Sequence, residues 1–231
     1  TSYLVYVGTS PSETYVQGYI YDLRMSRYAK YTQPFVPSRT IVPATGLTTY
    51  SISPTTVGIY DSAGQRGFST EGDGKLSVAQ KKYGSTSMYF DGNADYLTAP
   101  TSPMLALSTG DFTVEGWVYT TSLASEQAVY DSQALGGAAS RANSFVLVIN
   151  ATTGAMRFYT NSAYSSATSN VVSVNTWTHF AIVRVSGTIS IYINGSSGLS
   201  VANTTDLSTG GFVMGRYADA ASGYFTGYID D

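Results

Sequence analysis

A single histidine, His179, stands in a chain of 231 residues that has no cysteine. A Ser-His-Asp nucleophile or an imidazole metal site would have to be built on that one side chain, and thiolate sites are excluded. His179 is flanked by Trp177 and Phe180 inside an apolar run, so a packed structural histidine is expected. Retaining glycoside hydrolysis needs two carboxyl groups about 5 Å apart, which a strand can present through a Glu-x-Asp-x-x-Glu spacing. That spacing does not occur here. Glu115 is the only acid between Phe112 and Tyr119, and Asp111 precedes it by four residues. Glu115 is therefore expected to be structural or at the surface, and the chain is expected not to be an enzyme.

Two other chemistries have candidate residues. Asp91-Gly92-Asn93-Ala94-Asp95 places three oxygen-bearing side chains at alternate positions, a spacing that can wrap a hard cation. Asp91, Asn93 and Asp95 are thus candidate calcium ligands, although a polar hairpin turn uses the same residue types. No other cofactor is implied. Sugar recognition calls for aromatic faces beside planar hydrogen-bonding groups on loops at one end of a scaffold. Tyr130, Asp131, Arg141, Asn143, Asn161, Tyr164, Arg216, Tyr217, Asp219 and Tyr224 meet that description by composition. The Asn-x-Ser/Thr triplets at Asn150, Asn194 and Asn203 are expected to be plain turns.

These residues need a scaffold, and composition indicates its kind. The chain is 43% hydrophobic and 12% charged, with 20 Tyr and 23 Gly, the mix of pleated strands joined by tight turns. A net charge of −3 with scattered Lys and Arg offers no field for phosphate backbones, so nucleic acid is not an expected partner. No apolar stretch approaches the roughly 20 residues that span a bilayer, and no membrane insertion is expected. Thr1 to Val7 lack the basic start and cleavage site of a signal peptide, and the chain reads as part of a larger or oligomeric assembly.

Period-two alternation locates the strands. It is clearest in Thr188-Ile189-Ser190-Ile191-Tyr192-Ile193, with three isoleucines on one face. Thr178 to Val185 is apolar on both faces, as in a strand covered on both sides. Ser186-Gly187 makes the two-residue turn between them. Further strands are expected over Ser87–Phe90, Tyr96–Ala99, Phe112–Tyr119, Ala128–Asp131, Ser144–Asn150, Ala155–Thr160, Gly211–Gly215 and Tyr224–Ile229. Short strands without intervening helices give an all-β fold, an antiparallel β-sandwich or jelly roll.

An internal repeat bears on the domain plan. Tyr15-Val16-Gln17-Gly18-Tyr19-Ile20-Tyr21-Asp22 echoes Tyr224-Phe225-Thr226-Gly227-Tyr228-Ile229-Asp230-Asp231 at an offset of 209 residues, Gly18 to Gly227. Residues 1–44 are read as the closing strands and tail of a preceding repeat plus linker, and 45–231 as the main domain. The alternative is that 1–44 supply closing strands to the same sandwich or to a neighbour's. Residues 33–56, rich in Pro, Ser and Thr, are the expected linker.

Four motifs carry a family resemblance: Gly84 to Gly92, Asp111 to Val118, Trp177 to Arg184 with Ile191-Tyr192-Ile193-Asn194-Gly195, and Gly227 to Asp231. In order and spacing they resemble the laminin-G-like jelly-roll domains of the concanavalin A-like lectin/glucanase type. Residues Gly18 to Arg24 with the Tyr- and Pro-containing run that follows resemble the segment that closes such domains. Modules with these features resemble parts of bacteriophage virion fibres and appendages. The resemblance implies a virion-surface or extracellular module that binds cell-surface glycans, packs against other virion or appendage subunits, or does both.

Overall fold

A computed structural model describes residues 23–26, 32–34, 48–55, 58–61 and 68–230. Among these residues the strands, in chain order, begin with β1 (Leu23–Ser26), β2 (Thr48–Thr55), β3 (Gly58–Asp61), β4 (Ser69–Glu71), β5 (Lys75–Ser77), β6 (Ser87–Asp91) and β7 (Tyr96–Ala99). A short 3-10 turn, Pro103–Leu105, leads to β8 (Phe112–Thr120), β9 (Gln127–Asp131), β10 (Val146–Ile149), β11 (Met156–Thr160) and β12 (Ala163–Tyr164). The chain closes with β13 (Thr178–Val185), β14 (Thr188–Ile193), β15 (Ser196–Ala202), β16 (Phe212–Met214) and β17 (Thr226–Asp230).

The strands form two antiparallel sheets, as the alternation and turn pattern require. One runs β15-β14-β13-β8-β1-β2-β3, with β17, β6 and β5 attached beside β8; the other runs β12-β11-β10-β9-β16-β7-β4. Their inner faces enclose one core that includes Phe90, Phe112, Phe180 and Ile191 from the first sheet and Leu97, Phe158 and Phe212 from the second. Each such side chain contributes on the order of 1.5–3 kcal/mol by leaving water. The fold is the all-β sandwich that the sequence predicts.

Local chemistry sets the corners. Ser186 and Gly187 adopt φ of 45° and 76°, and Asn194 and Gly195 adopt 50° and 79°, the pairs of positive values that fit two-residue hairpins to the strand twist. The isoleucines of β14 all reach the core. On β13 the outward residues Ala181 and Val183 are buried as well, in agreement with its doubly apolar sequence.

Several strands were not expected. β15 is polar and largely exposed, so its sequence carries no alternation; it forms because the Asn194-Gly195 turn folds it back on β14. β2 lies inside the 33–56 stretch expected to be linker. β1 lies in the 1–44 segment, read as the closing strands and tail of a preceding repeat or as closing strands of the same sandwich or a neighbour's, and it pairs with β8 from Arg24↔Glu115 to Ser26↔Thr113. β17 pairs with the same strand from Gly227↔Thr120 to Asp230↔Trp117, so β1 and β17 follow one another along a single edge of β8. The repeat copy Tyr15–Asp22 lies outside the described residues.

Candidate functional site

The site is built on the outer face of the seven-stranded sheet, and a bulge decides what it presents. Leu147 pairs with Tyr130 but Val148 pairs with Ala128, so Val129 is an extra residue in β9. Such an insertion resets the in-out alternation. Tyr130 is thereby turned into the core, 1% exposed, against Phe145 and Phe212. This corrects its assignment as a glycan ligand: the ring is sealed from solvent. Asp131 is turned outward beside Val146 instead.

Asp131 is covered and held there by several donors. Arg141 reaches it at 2.7 Å, and the Ala218 and Gln133 N–H groups donate to it at 3.0 and 3.3 Å. The same Arg141 Nη2 also donates to Asp219. Its guanidinium lies 5.7 and 5.4 Å from the ring centres of Tyr159 and Tyr217. Burial alone would lower the pKa of Arg141, but the two carboxylates outweigh it and raise the pKa.

Toward solvent, Glu126 collects three donors. Its Oε1 accepts from the hydroxyls of Tyr217 and of Tyr164, the latter at 2.6 Å, and its Oε2 accepts from Arg157 at 2.7 Å. The Arg157 guanidinium lies 3.7 Å from the Tyr164 ring centre. Burial pushes the Glu126 pKa up, yet the donated hydrogen bonds prevail and leave it lowered. Conversely, burial and the hydrogen bonds to Glu126 raise the pKa values of Tyr217 and Tyr164. With Tyr164 41% exposed, and Arg157 and Glu126 26% and 22%, this cluster is a wet, pre-organised face of rings, an arginine and a carboxylate.

Around it lie the remaining candidates. Arg216 sits over Tyr96 and Tyr224, at 4.6 and 5.8 Å. Asn143 is exposed and lines a cavity of about 320 Å³ between the 133–144 loop and Thr209. Gly211 allows the close approach on which this loop rests, since a Cβ there would lie 1.9 Å from the Ala134 nitrogen. Asn161 bonds Thr205 at 2.8 Å, and its N–H donates to the Arg141 carbonyl, so it supports the loop from behind. The structure therefore gathers Asp131, Arg141, Tyr164, Tyr217 and Asp219. Sequence reading missed Glu126 and Arg157, which are 31 residues apart and meet only through strand order.

The calcium candidates are partly regrouped. Asp91 and Asp95 lie with Asp73, an additional member, with one ligand atom from each within 4.8 Å of the others. Asp95 is fully buried and accepts from the Asp73 and Asp91 N–H groups at 2.8 and 2.9 Å. Burial pushes its pKa up to about 6 despite those bonds. The Asn93 N–H donates to Asp91 at 2.6 Å, which makes a local turn. Carboxylate oxygens of this kind suit a hard cation, and one bound here would relieve the burial cost of Asp95.

Glu115 and His179 stand on the other sheet's outer face, 3.6 Å apart, and are 7% and 4% exposed. The Trp117 ring meets His179 edge-on at 5.1 Å. His179 is thus packed as expected, on the outer side of its sheet.

A two-layer antiparallel sandwich with an aromatic and charged patch on one sheet's outer face has the architecture of lectin-like domains. Residues 91–231 match the laminin-G-type family model described as the Concanavalin A-like lectin/glucanases superfamily, and the chain belongs to that superfamily. No curated protein matches the chain. Among solved structures, domain 4 of the extracellular arabinanase AbnA from Geobacillus stearothermophilus, solved with arabinotriose, is 19% identical. The match covers 74% of this chain and 82% of that one, with a TM-score of 0.57. The carbohydrate-binding module CBM66 from Bacillus subtilis is 14% identical over 72% of this chain and 96% of its own, with a TM-score of 0.41. The CBM40 of a Ruminococcus gnavus sialidase, bound to α2,3 sialyllactose, is 14% identical over 51% and 71%, with a TM-score of 0.44.

Proposed function

We propose that the chain is a non-catalytic carbohydrate-binding module displayed on a virion appendage or other extracellular surface, where it contributes to host attachment. The observation that carries this reading is the Glu126 cluster. Tyr164, Tyr217 and Arg157 are fixed on one carboxylate while remaining partly open to solvent. Rings held in this way offer faces to sugar C–H groups, and the fixed polar groups offer hydrogen bonds with little ordering cost. Glu126 with Arg157, and Arg141 with Asp131 and Asp219, are paired locally, so the face favours neutral sugars over polyanions. The arabinanase domain was solved with arabinotriose, and a saccharide is the ligand class proposed here on the same fold.

A glycan microarray followed by calorimetry on the intact chain tests this reading. Saturable saccharide binding that weakens about tenfold in Tyr164→Ala is the expected result, in line with loss of a central aromatic anchor. Binding to no saccharide, or binding unchanged in both Tyr164→Ala and Arg157→Ala, would overturn it.

A second reading, an assembly protein of a virion or filament, is favoured by one lane on the other sheet. Tyr89, Tyr228, Tyr119 and Trp177 follow one another at ring separations of 5.0, 5.8 and 5.4 Å across neighbouring strands, each half-buried. Such a lane fits burial between subunits. Sedimentation showing self-association that Tyr228→Ser abolishes, together with silence on the microarray, would select this reading.

A further inference from the structure

The cavity beside the Glu126 cluster has a chemistry of its own. Its walls include Ala134, Leu135, Ala138 and Ala142 and the backbone of Gly136 and Gly137. Most of the polar side-chain atoms that also line it are engaged elsewhere. Gln133 Nε2 donates to the Ala138 carbonyl and its Oε1 accepts from Ser144, both at 3.3 Å. Thr209 donates to the Ser132 carbonyl at 2.7 Å, and Arg141 gives its terminal nitrogens to Asp131, Asp219 and the Ala139 carbonyl, with only its Nε left without a partner. What faces the void is therefore mostly methyl groups and glycine Cα atoms. A sugar hydroxyl set against this alanine and glycine wall would give up water without gaining a partner, whereas a methyl group would lose nothing.

The cavity adjoins the proposed glycan face through Arg141. Arg141 lines the one and is sandwiched by Tyr159 and Tyr217 of the other. The Gly136 N–H donates to the Ala218 carbonyl at 2.8 Å, which ties the cavity loop to the segment that carries Tyr217 and Asp219. At the rim, Asn143 is exposed, and its Nδ2 is occupied by the Asp206 carbonyl at 3.2 Å, leaving Oδ1 as the acceptor.

Building on the carbohydrate-binding reading, we infer that this cavity selects a methyl-bearing sugar, with an acetamido group entering it. The acetyl methyl fills the alanine- and glycine-lined void while the amide N–H donates to Asn143 Oδ1. A volume of about 320 Å³ accepts that substituent together with part of its ring. The residues on the sheet face then hold the neighbouring sugar.

Calorimetry on the intact protein with three neutral trisaccharides tests the assignment: tri-N-acetylchitotriose, cellotriose and a trisaccharide of 6-deoxyhexose. The acetylated sugar is expected to bind at least tenfold more tightly than cellotriose. Ala142→Phe, at an exposed position on the cavity wall, is expected to erase that preference while leaving the melting temperature unchanged. Ala138→Phe provides a second filling variant at another exposed wall position. Equal binding of acetylated sugar and cellotriose, unaltered by either filling variant, overturns the inference and leaves the carbohydrate reading intact. A gain for the 6-deoxy sugar alone overturns the acetamido assignment. Silence toward all three also overturns it, and the carbohydrate reading is then judged separately by the Tyr164→Ala comparison across the full microarray.

Discussion

Two buried arginines hold two ends of this sandwich in different ways. Arg184, 0% exposed, gives its protons to backbone carbonyls: Gly110 and Thr205 at 2.8 Å, Leu107 at 3.3 Å, and Ser108. Arg141, 4% exposed, gives its Nη2 to the carboxylates of Asp131 and Asp219. Carbonyl dipoles can fix a cation but cannot neutralise it, and burial accordingly lowers the Arg184 pKa while that of Arg141 is raised. The contrast separates a fastening from a site. Arg184 pins the 107–110 loop and the stretch near Thr205 to β13, whereas Arg141 joins the buried Asp131 to the half-buried rings of Tyr159 and Tyr217.

The largest effect should come from Arg184→Met, which withdraws the buried guanidinium's donors from the carbonyls of Leu107, Ser108, Gly110 and Thr205. A loss of about 4 kcal/mol is expected in urea unfolding, with saccharide affinity of the folded fraction retained. Arg141→Met should cost about 3 kcal/mol by stranding Asp131, and it should abolish saccharide binding. Its penalty has a sign that can be checked. The unpaired Asp131 has its folded pKa raised further, so the penalty is present above that pKa and fades as pH falls. Asp131→Asn in the Arg141→Met background should likewise recover stability at neutral pH. If Arg141→Met costs under about 1 kcal/mol, the contrast between the two arginines fails.

Smaller effects sharpen the comparison at the exposed end. Tyr164→Phe should change stability by less than about 0.5 kcal/mol while affinity falls severalfold, because only the hydroxyl on Glu126 is lost. The lowered Glu126 pKa keeps the carboxylate charged below its ordinary 4.5. Its contribution is therefore complete above that pH and lost only as pH drops through the lower folded value, so affinity measured from pH 8 to pH 5 should be flat. The smallest effect concerns Asp95. Its raised pKa makes stability fall as pH rises from 3.8 through about 6. Millimolar calcium should restore a degree or two in melting temperature at pH 8 and nothing at pH 5; no shift at either pH would remove the cation proposal.

The legible parts of this molecule are those where local chemistry and tertiary structure agree. The predicted bounds of β13, β14 and β7 coincide with those observed, because β14 and β7 alternate against the core, β13 is a continuous apolar run, and the Ser186-Gly187 and Asn194-Gly195 turns carry their own φ preferences. The site was legible only as a set of loops. Tyr130 faces the core and Asp131 the outer side because of one extra residue in β9, which no alternation count reveals. Glu126 and Arg157 lie on a strand's lip and on another strand, and their pairing depends on strand order alone. Asp73 precedes Asp95 by 22 residues, beyond the reach of a spacing motif. Strands β4 and β5 are three residues long and partly exposed, too short to show a period.

The edge that β8 shares between β1 and β17 has one further consequence. Where β17 stops at Trp117, the next rungs at Glu115, Val114 and Thr113 are taken by Leu23–Ser26's neighbourhood, from Arg24 to Ser26. A shortened protein without that segment would leave a row of amide and carbonyl groups in the middle of the larger sheet with nothing to bond. Vacancies of this kind recruit any extended peptide that comes near, so trimming the N-terminal residues to make a tidier domain would produce a sticky one.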